Sequence, residues 1–364
     1  MTVENPVLKA HHHDFVVQES LILPAQDEPN APYQYLWLRK RGYTTFEAVG
    51  RIAAVCGIPA SDLSTAGLKD EDAVTEQHVA CRGGLSPDQI AEFNMRHASG
   101  VRVMSLTPHG YGHHDLRTGH LEGNGFRITV RGLSPAFAEA LGTLGEHASD
   151  LFFVNYYDTQ RFGVAGGPKT THHIGRALLE DDYGRALDLV RESRSAEAEH
   201  ARHFTGPAAD FFDGIDPRVR AFYLCAHASH LWNDQLTTRL RNISRHPLNE
   251  TTREGIPYTF ATHRDDVLAL LQDATTLPYT RYRWADGAMR CTQGLRPAVV
   301  QTRVRVERTS GDTDTPGRYA CRLALFLPTG CYATNAVAQW VAWIARTAPD
   351  AGAQQTPGRP QAHP

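Results

Sequence analysis

No part of the 364-residue chain approaches the roughly 18–20 consecutive apolar residues of a membrane-spanning helix, so a helical membrane protein is excluded. The opening residues, Met1 to Asp14, lack the apolar core of a secretory leader. None of the six cysteines (Cys56, Cys81, Cys225, Cys291, Cys321, Cys331) belongs to a C-x-x-C pair. Free thiols and a cytoplasmic location are therefore expected. There is no excess of positive charge: 37 Lys and Arg stand against 40 Asp and Glu, for a net charge of −3. A general nucleic-acid binder carries a strongly basic balance, so any RNA site here must be a local patch. Lysine itself is scarce, with only Lys9, Lys40, Lys69 and Lys169. No H-E-x-x-H or His/Cys zinc spacing occurs among the 19 histidines. They cluster as His11–His13, His113-His114 and His172-His173, and adjacent imidazoles rarely converge on one ion, so no metal is expected. No internal repeat is present.

What remains is an ordinary globular composition, 41% hydrophobic and 21% charged, able to bury real cores. At roughly 150 residues per domain the length suggests two domains. In the N-terminal half, DFVVQESLIL (Asp14 to Leu23) and YQYLWLRKR (Tyr33 to Arg41) read as strands. Thr44 and Glu47 have capping-box spacing before an apolar face of Phe46, Val49, Ile52 and Ala53, and Gly57 and Pro59 stop that helix. His78 to Cys81 and Phe126 to Arg131 read as strands, and Pro135 to Ser149 as a helix. Residues 172–203 and Val219 to Asn242 are helical in pattern. Arg303 to Glu307 and Tyr319 to Leu327 form an expected hairpin. A last helix runs from about Asn335 to Thr347, and the Pro/Gly/Gln-rich residues 348–364 are expected to be disordered.

Thr65 to Gln77, TAGLKDEDAVTEQ, carries Asp70, Glu71 and Asp72 together. Alone it reads as a solvated acidic turn. It has company, however. Lys9 and DFVV with Glu19 precede it. GNGF (Gly123 to Phe126), NYYDTQRFG (Asn155 to Gly163), SHLWNDQLTTRL (Ser229 to Leu240) and LPTGCYAT (Leu327 to Thr334) follow. Their order and spacing resemble the TruD family of pseudouridine synthases, from about Lys9 to the final helix.

The resemblance implies an α+β fold: a pseudouridine-synthase catalytic domain with a mixed, largely antiparallel sheet flanked by helices, plus a TruD-type α/β insertion. The catalytic domain would comprise 1–151 and 295–347, the insertion 152–294. It also implies a chemistry. Such an enzyme breaks the N1–C1′ bond of uridine, turns the uracil and joins C5 to C1′, with no redox change and hence no cofactor. It needs an ionised carboxylate that attacks C1′ or removes the C2′ proton. By resemblance that carboxylate is Asp70. Lys9 would reach it, since a nearby cation favours an ionised carboxylate. Phe126 would stack on the uracil. Asn124 would bond the base edge or position the loop, with Gly123 and Gly125 allowing close backbone approach. Lys69, Gln77, Arg161, Tyr332 and Glu19 are further candidates for substrate contact, with structural hydrogen bonding weighed equally for Gln77 and Arg161. Lys69 would act on the same loop or face away. Phe15, Phe162 and Trp232 read as core, and Glu71, Asp72 and the histidine pairs as solvated surface.

Departures from the family pattern bear on the substrate. The basic stretch before G-N-x-F is here His113 to Gly119, HHDLRTG, in which only Arg117 is firmly cationic; Asp115 and Glu122 are acidic. Asp158 replaces a glycine, and Ala338-Gln339 replaces Arg-Glu. Phosphate contacts supply most RNA affinity. Two readings stay open: tRNA with compensation by other arginines, or a free uridine nucleotide such as UMP for C-nucleoside biosynthesis. Arg39, Lys40 and Arg41 would serve either. A non-catalytic RNA-binding protein is the third alternative. No membrane partner is expected.

Overall fold

Alternation of apolar and polar residues makes Phe15–Leu21 (β1) and Tyr33–Arg41 (β2) strands with one buried face. The structure is a computed structural model that describes residues 6–22, 28, 30–143 and 149–347. Its contacts divide the chain into two units: Met1–Asp150, Thr302–Gly330 and Thr347–Pro364, and Leu151–Gln301 with Cys331–Arg346.

In the first unit, Thr44 caps the helix Thr45–Cys56 (α1). Its hydroxyl accepts from Glu47 N at 3.1 Å, and Glu47 Oε2 accepts from Thr44 N at 2.8 Å, the reciprocal capping box. Gly57, at φ +67°, ends the helix because the left-handed region costs glycine nothing. Ala48, Ile52, Ala53 and Cys56 are buried. Phe46, expected with them, is 73% exposed; two residues from Ala48, it lies about 200° round the helix. There follow Leu63–Ser64 (β3), Val74–Arg82 (β4), Pro87–His97 (α2), Val103–Gly112 (β5), Leu121–Leu133 (β6) and Pro135–Thr143 (α3).

The sheet runs in the order β5, β2, β4, β1, β6, then the strands Tyr319–Pro328 and Val299–Gly311, with β3 paired to β4. β1 and β4 are parallel; the pairs β1–β6, β2–β4, β2–β5, and Tyr319–Pro328 with both of its neighbours are antiparallel. The unit thus has the expected α+β character. Leu36 and Leu38 of β2, Val79 of β4 and Leu106 of β5 close over Ile52 of α1 and Phe93 of α2. Each fully buried side chain of this size stabilises by about 1.5–3 kcal/mol. That core fixes one side of the sheet, and with it the loop between β3 and β4.

The second unit is built on the long helix Pro217–Ile243. Its Trp232, Leu236 and Leu240 share a core with Tyr258 and Phe260 of the hairpin Leu248–Arg253/Ile256–Ala261 and with Leu270 of the helix Arg264–Asp273. Phe162, expected in the core, is fully buried there. The region 172–203, expected to be helix-forming with a polar end that is a solvated helix or linker, is three helices, Thr171–Leu179, Tyr183–Glu192 and Ala198–His203. A second hairpin, Thr276–Ala285 with Ala288–Pro297, has no counterpart in the sequence reading. The last helix, Ala333–Thr347, expected in the catalytic domain, groups by contact with the second unit as far as Arg346. The expected disordered tail, 348–364, lies outside the described residues.

Candidate active site

The site begins with a clamp on β1. Asp14, immediately before β1, is fully buried and takes a fork from Arg131 of β6: Nε to Oδ2 at 2.8 Å and Nη2 to Oδ1 at 2.9 Å. Arg131 Nη1 also donates to Asp312 at 3.0 Å. Burial alone would raise the Asp14 carboxyl, but the Arg131 bonds overcome this and hold it below the usual range.

On the β1 face that carries Phe15, Val17 and Glu19, the antiparallel register sets Val17 opposite Phe126 and Glu19 opposite Asn124. Phe15 and Phe126 meet edge to face at 5.9 Å. The Lys9 ammonium lies 4.5 Å from the Phe15 ring centre and donates to Asp70 Oδ2 at 2.9 Å. The side chains of Lys9 and Asp70 keep 25% and 39% of their surface exposed. Asp70, Lys9, Phe15 and Phe126 therefore form one continuous chain of contacts. Asn124 Oδ1 is buried with no hydrogen-bond partner among the described residues. A Cβ on Gly123 would fall 2.3 Å from Leu327 O, so glycine is required there. At Gly125 the nearest atom is 3.8 Å away, and the close approach expected of it is not found.

Other candidates hold the loop rather than face it outward. Lys69 is turned inward: its Nζ donates to Glu19 Oε1 at 2.8 Å, and both side chains are withdrawn from solvent. Glu19 Oε2 accepts from His78 N at 2.9 Å. Burial would push Glu19 up, but His78 and the Lys69 ammonium hold it below its ordinary value. Gln77 is fully buried; its Oε1 accepts from the Thr45 hydroxyl at 3.0 Å and its Nε2 donates to Gly67 O at 3.2 Å. Thr45 Oγ1 in turn accepts from Lys69 N at 2.9 Å. Glu19, Lys69 and Gln77 are thus the buried frame of the Asp70 loop. Of the basic run at the end of β2, Lys40 is buried, and Arg41 is spent on the carbonyls of Gly100 and Val101. Only Arg39 keeps most of its side chain exposed, beside Glu76 at 3.2 Å.

Arg161 and Tyr332 belong to the second unit. Arg161 Nε donates to Ser229 Oγ at 3.1 Å, and its guanidinium lies over Tyr157 and Phe222. Tyr332 meets Tyr157 edge-on, and burial pushes its hydroxyl up to about 12. Trp232, buried as expected, donates from Nε1 to Asn155 O. Asp158, where the family pattern has glycine, pairs with Arg253 at 3.1 Å and accepts from Thr334 Oγ1 at 2.7 Å. His172, expected at the surface, is buried beside His230, and burial drives its imidazole down to about 3. Spacing also missed a group: His246, His263 and Asp266 hold ligand atoms within 4.8 Å of one another. The two rings stack at 3.7 Å and 12°, however, and parallel imidazoles cannot both point in-plane at one ion.

On the other face of the first unit's sheet, Arg39, Arg127, Arg305 and Arg322 line a hollow of about 500 Å³ together with Glu76 and His13. The carboxylates lie lower than the guanidiniums: Glu76 and Glu307 expose 18% and 21% of their side chains, while Arg39, Arg127 and Arg305 expose about 60%. Sequence spacing could not have assembled this patch, since its arginines come from four strands. Arg117, the cation left in the 113–119 stretch, is paired with Asp115 at 3.0 Å.

A family model described as tRNA pseudouridine synthase D (TruD) matches residues 5–210, more than half of the chain. The chain is 29% identical over 282 residues to tRNA pseudouridine synthase D of Geobacter sulfurreducens, covering 67% of this chain and 66% of that one. It is 31% identical over 286 residues to the protein of the same name from Geobacter metallireducens, covering 68% and 65%. The matches thus span just under two-thirds of those relatives' length. A solved structure of a protein described as tRNA pseudouridine synthase D (TruD) from Methanosarcina mazei has a TM-score of 0.60 and 19% identity, covering 92% of this chain and 93% of that one. That likeness concerns the fold. Among the described residues no helix is long and apolar enough to cross a membrane.

Proposed function

This chain belongs to the tRNA pseudouridine synthase D (TruD) family, and from that premise we propose that it isomerises uridine to pseudouridine in tRNA, with Asp70 as the reacting carboxylate. The observation that carries this is the contact chain from Asp70 through Lys9 and Phe15 to Phe126, which joins a carboxylate to an aromatic platform. Asp70 attacks C1′ or takes the C2′ proton while the N1–C1′ bond breaks. Lys9 orients the carboxylate. Phe126 stacks on the flipped uracil, and the unpartnered Asn124 Oδ1 accepts from its N3–H. After the base turns, C5 bonds to C1′ as Asp70 is displaced from C1′, or as Asp70 returns the proton to C2′; the C5 proton then leaves to solvent, and N1 gains one.

The family default is the uridine at position thirteen of tRNA, in the cytoplasm. The arginine-lined hollow supports an RNA strand as partner, because phosphate contacts dominate such affinity. One observation favours the second reading, a free uridine nucleotide such as UMP used toward C-nucleosides: in the stretch where the family is basic, the remaining cation, Arg117, is paired with Asp115. Unmodified tRNA and UMP, each tritiated at C5, separate the two. Tritium release from tRNA alone supports the tRNA enzyme, and release from UMP alone the nucleotide isomerase. Release from neither, under conditions where a known tRNA pseudouridine synthase works, overturns both.

A further inference from the structure

Lys40 sits at the end of β2 with 1% of its surface exposed, an unusual place for an ammonium unless its charge is compensated. Its Nζ donates to three main-chain oxygens, Tyr43 O at 2.8 Å, Lys69 O at 3.0 Å and Asp70 O at 3.0 Å. An ammonium has three donors and no acceptor, so its capacity is filled. Two of these carbonyls flank Asp70 in the chain, one before and one after its Cα. The third belongs to the turn between β2 and α1. The turn and the first residue of α1 hold the loop twice more, through Lys69 N on Thr45 Oγ1 and through Gly42 N on Glu71 O at 3.1 Å.

We propose that Lys40 is a positioning residue for the isomerisation, its ammonium fixing the two carbonyls around Asp70 and hence the direction of the carboxylate. This rests on the reading of Asp70 as the reacting group. The bonds of the two lysines divide the work. Lys9 touches the carboxylate, and Lys40 touches only the backbone that carries it. A misplacement of about 1 Å can cost on the order of a hundredfold in rate, and the Asp70 loop has no helix or strand hydrogen bonds of its own to prevent one.

The arrangement has a pH signature. The charged groups that act on Lys40 are Asp70, Glu71 and Glu47, which favour its cation, and Lys69, which opposes it; Arg39, Arg41 and His97 border a second, smaller hollow beside it. Burial prevails and brings the ammonium down to about 8. Below that pH all three bonds form. Above it the neutral amine keeps two donors and loses its charge, so one carbonyl is released and the loop loosens.

The test is the dependence of kcat and KM on pH for tritium release from tRNA, in the natural protein, in Lys40→Arg and in Lys40→Met. In the natural protein kcat is expected to fall above about pH 8 with KM little changed. Lys40→Arg, whose guanidinium stays charged, should lose that alkaline limb. Lys40→Met should lower kcat on the order of a hundredfold at pH 7.5. A flat profile to pH 10 overturns the proposal. So does a limb that persists in Lys40→Arg, since it then belongs to the substrate or to another group. So does a folded Lys40→Met with the natural kcat. Should Lys40→Met fail to fold, the profiles of the other two proteins decide. Asp70→Asn run in parallel separates the failures: turnover in that variant defeats the reading of Asp70, whereas an inactive Asp70→Asn beside a fully active Lys40→Met defeats only the role of Lys40.

Discussion

Lys9 Nζ lies 2.9 Å from Asp70 Oδ2 across 61 positions of sequence, and Lys9 holds a left-handed backbone, φ +58°, where it does so. A side chain other than glycine is uncommon in that region, and such conformations persist where the surrounding structure imposes them. Here the clamp of Asp14 on Arg131 fixes the chain five residues on, and the Phe15 ring sits under the ammonium.

Asp70→Asn keeps the shape of the side chain and removes its ionisable oxygen. Tritium release from C5 should fall at least about a thousandfold, within the usual range for a positioned acid or base, while tRNA binding stays near normal. Lys9→Met should cost less, on the order of tenfold to a hundredfold, because the carboxylate remains but is no longer oriented. Single-turnover assays on both variants check this, and a Lys9→Met rate equal to the natural one removes Lys9 from the site.

Phe126→Ala removes the proposed platform for the base. Stacking contributes about 1–3 kcal/mol, with a tenfold change per 1.4 kcal/mol. The ratio kcat/KM should drop accordingly, and Phe126→Tyr, which keeps the ring, should recover most of it. If alanine and tyrosine behave alike, the ring is not the platform.

Arg127→Gln and Arg322→Gln probe the exposed face of the sheet. If it meets RNA phosphates, each should weaken tRNA binding and lower the slope of log affinity against log salt by about 1. Turnover of UMP, where present, should not respond. Fluorescence anisotropy across a salt series reads both quantities.

The Asp14–Arg131–Asp312 network links stability to pH. Asp14, Asp312 and Glu19 all have carboxyls held below their ordinary values despite burial. A depressed carboxyl contributes stability above its unfolded value, near 4, and that contribution is lost as pH falls toward the folded value. The thermal midpoint should therefore hold between about pH 7 and 5 and decline below about 4. Arg131→Met leaves two buried carboxylates with backbone N–H donors but no cation and should cost about 3–5 kcal/mol at pH 7. Mild acid should then raise its midpoint rather than lower it, since protonation removes the buried charge. Calorimetry at pH 7 and 5 distinguishes the two slopes.

Much of this protein was determined by sequence alone. Local physics settled the capping box at Thr44 and Glu47, the strand Tyr33–Arg41 and the glycine stop at Gly57, because each depends on residues within one turn or one strand. Motif order pointed to Asp70, Lys9, Asn124 and Phe126. Burial is another matter. Lys40, Lys69, Glu19 and Gln77 look alike in sequence to residues that reach a substrate, and only packing turned them inward, since whether a charge is withdrawn from water depends on partners thirty or fifty positions away. The burial of His172 has the same origin, whereas the hairpin Thr276–Ala285/Ala288–Pro297 is local, its Asp286-Gly287 turn at positive φ being a short-range signal in the sequence. Where the cations gather was likewise decided by tertiary structure: Arg41 went to backbone carbonyls, and arginines from four separate strands came together on one face of the sheet beside Glu76 and Glu307.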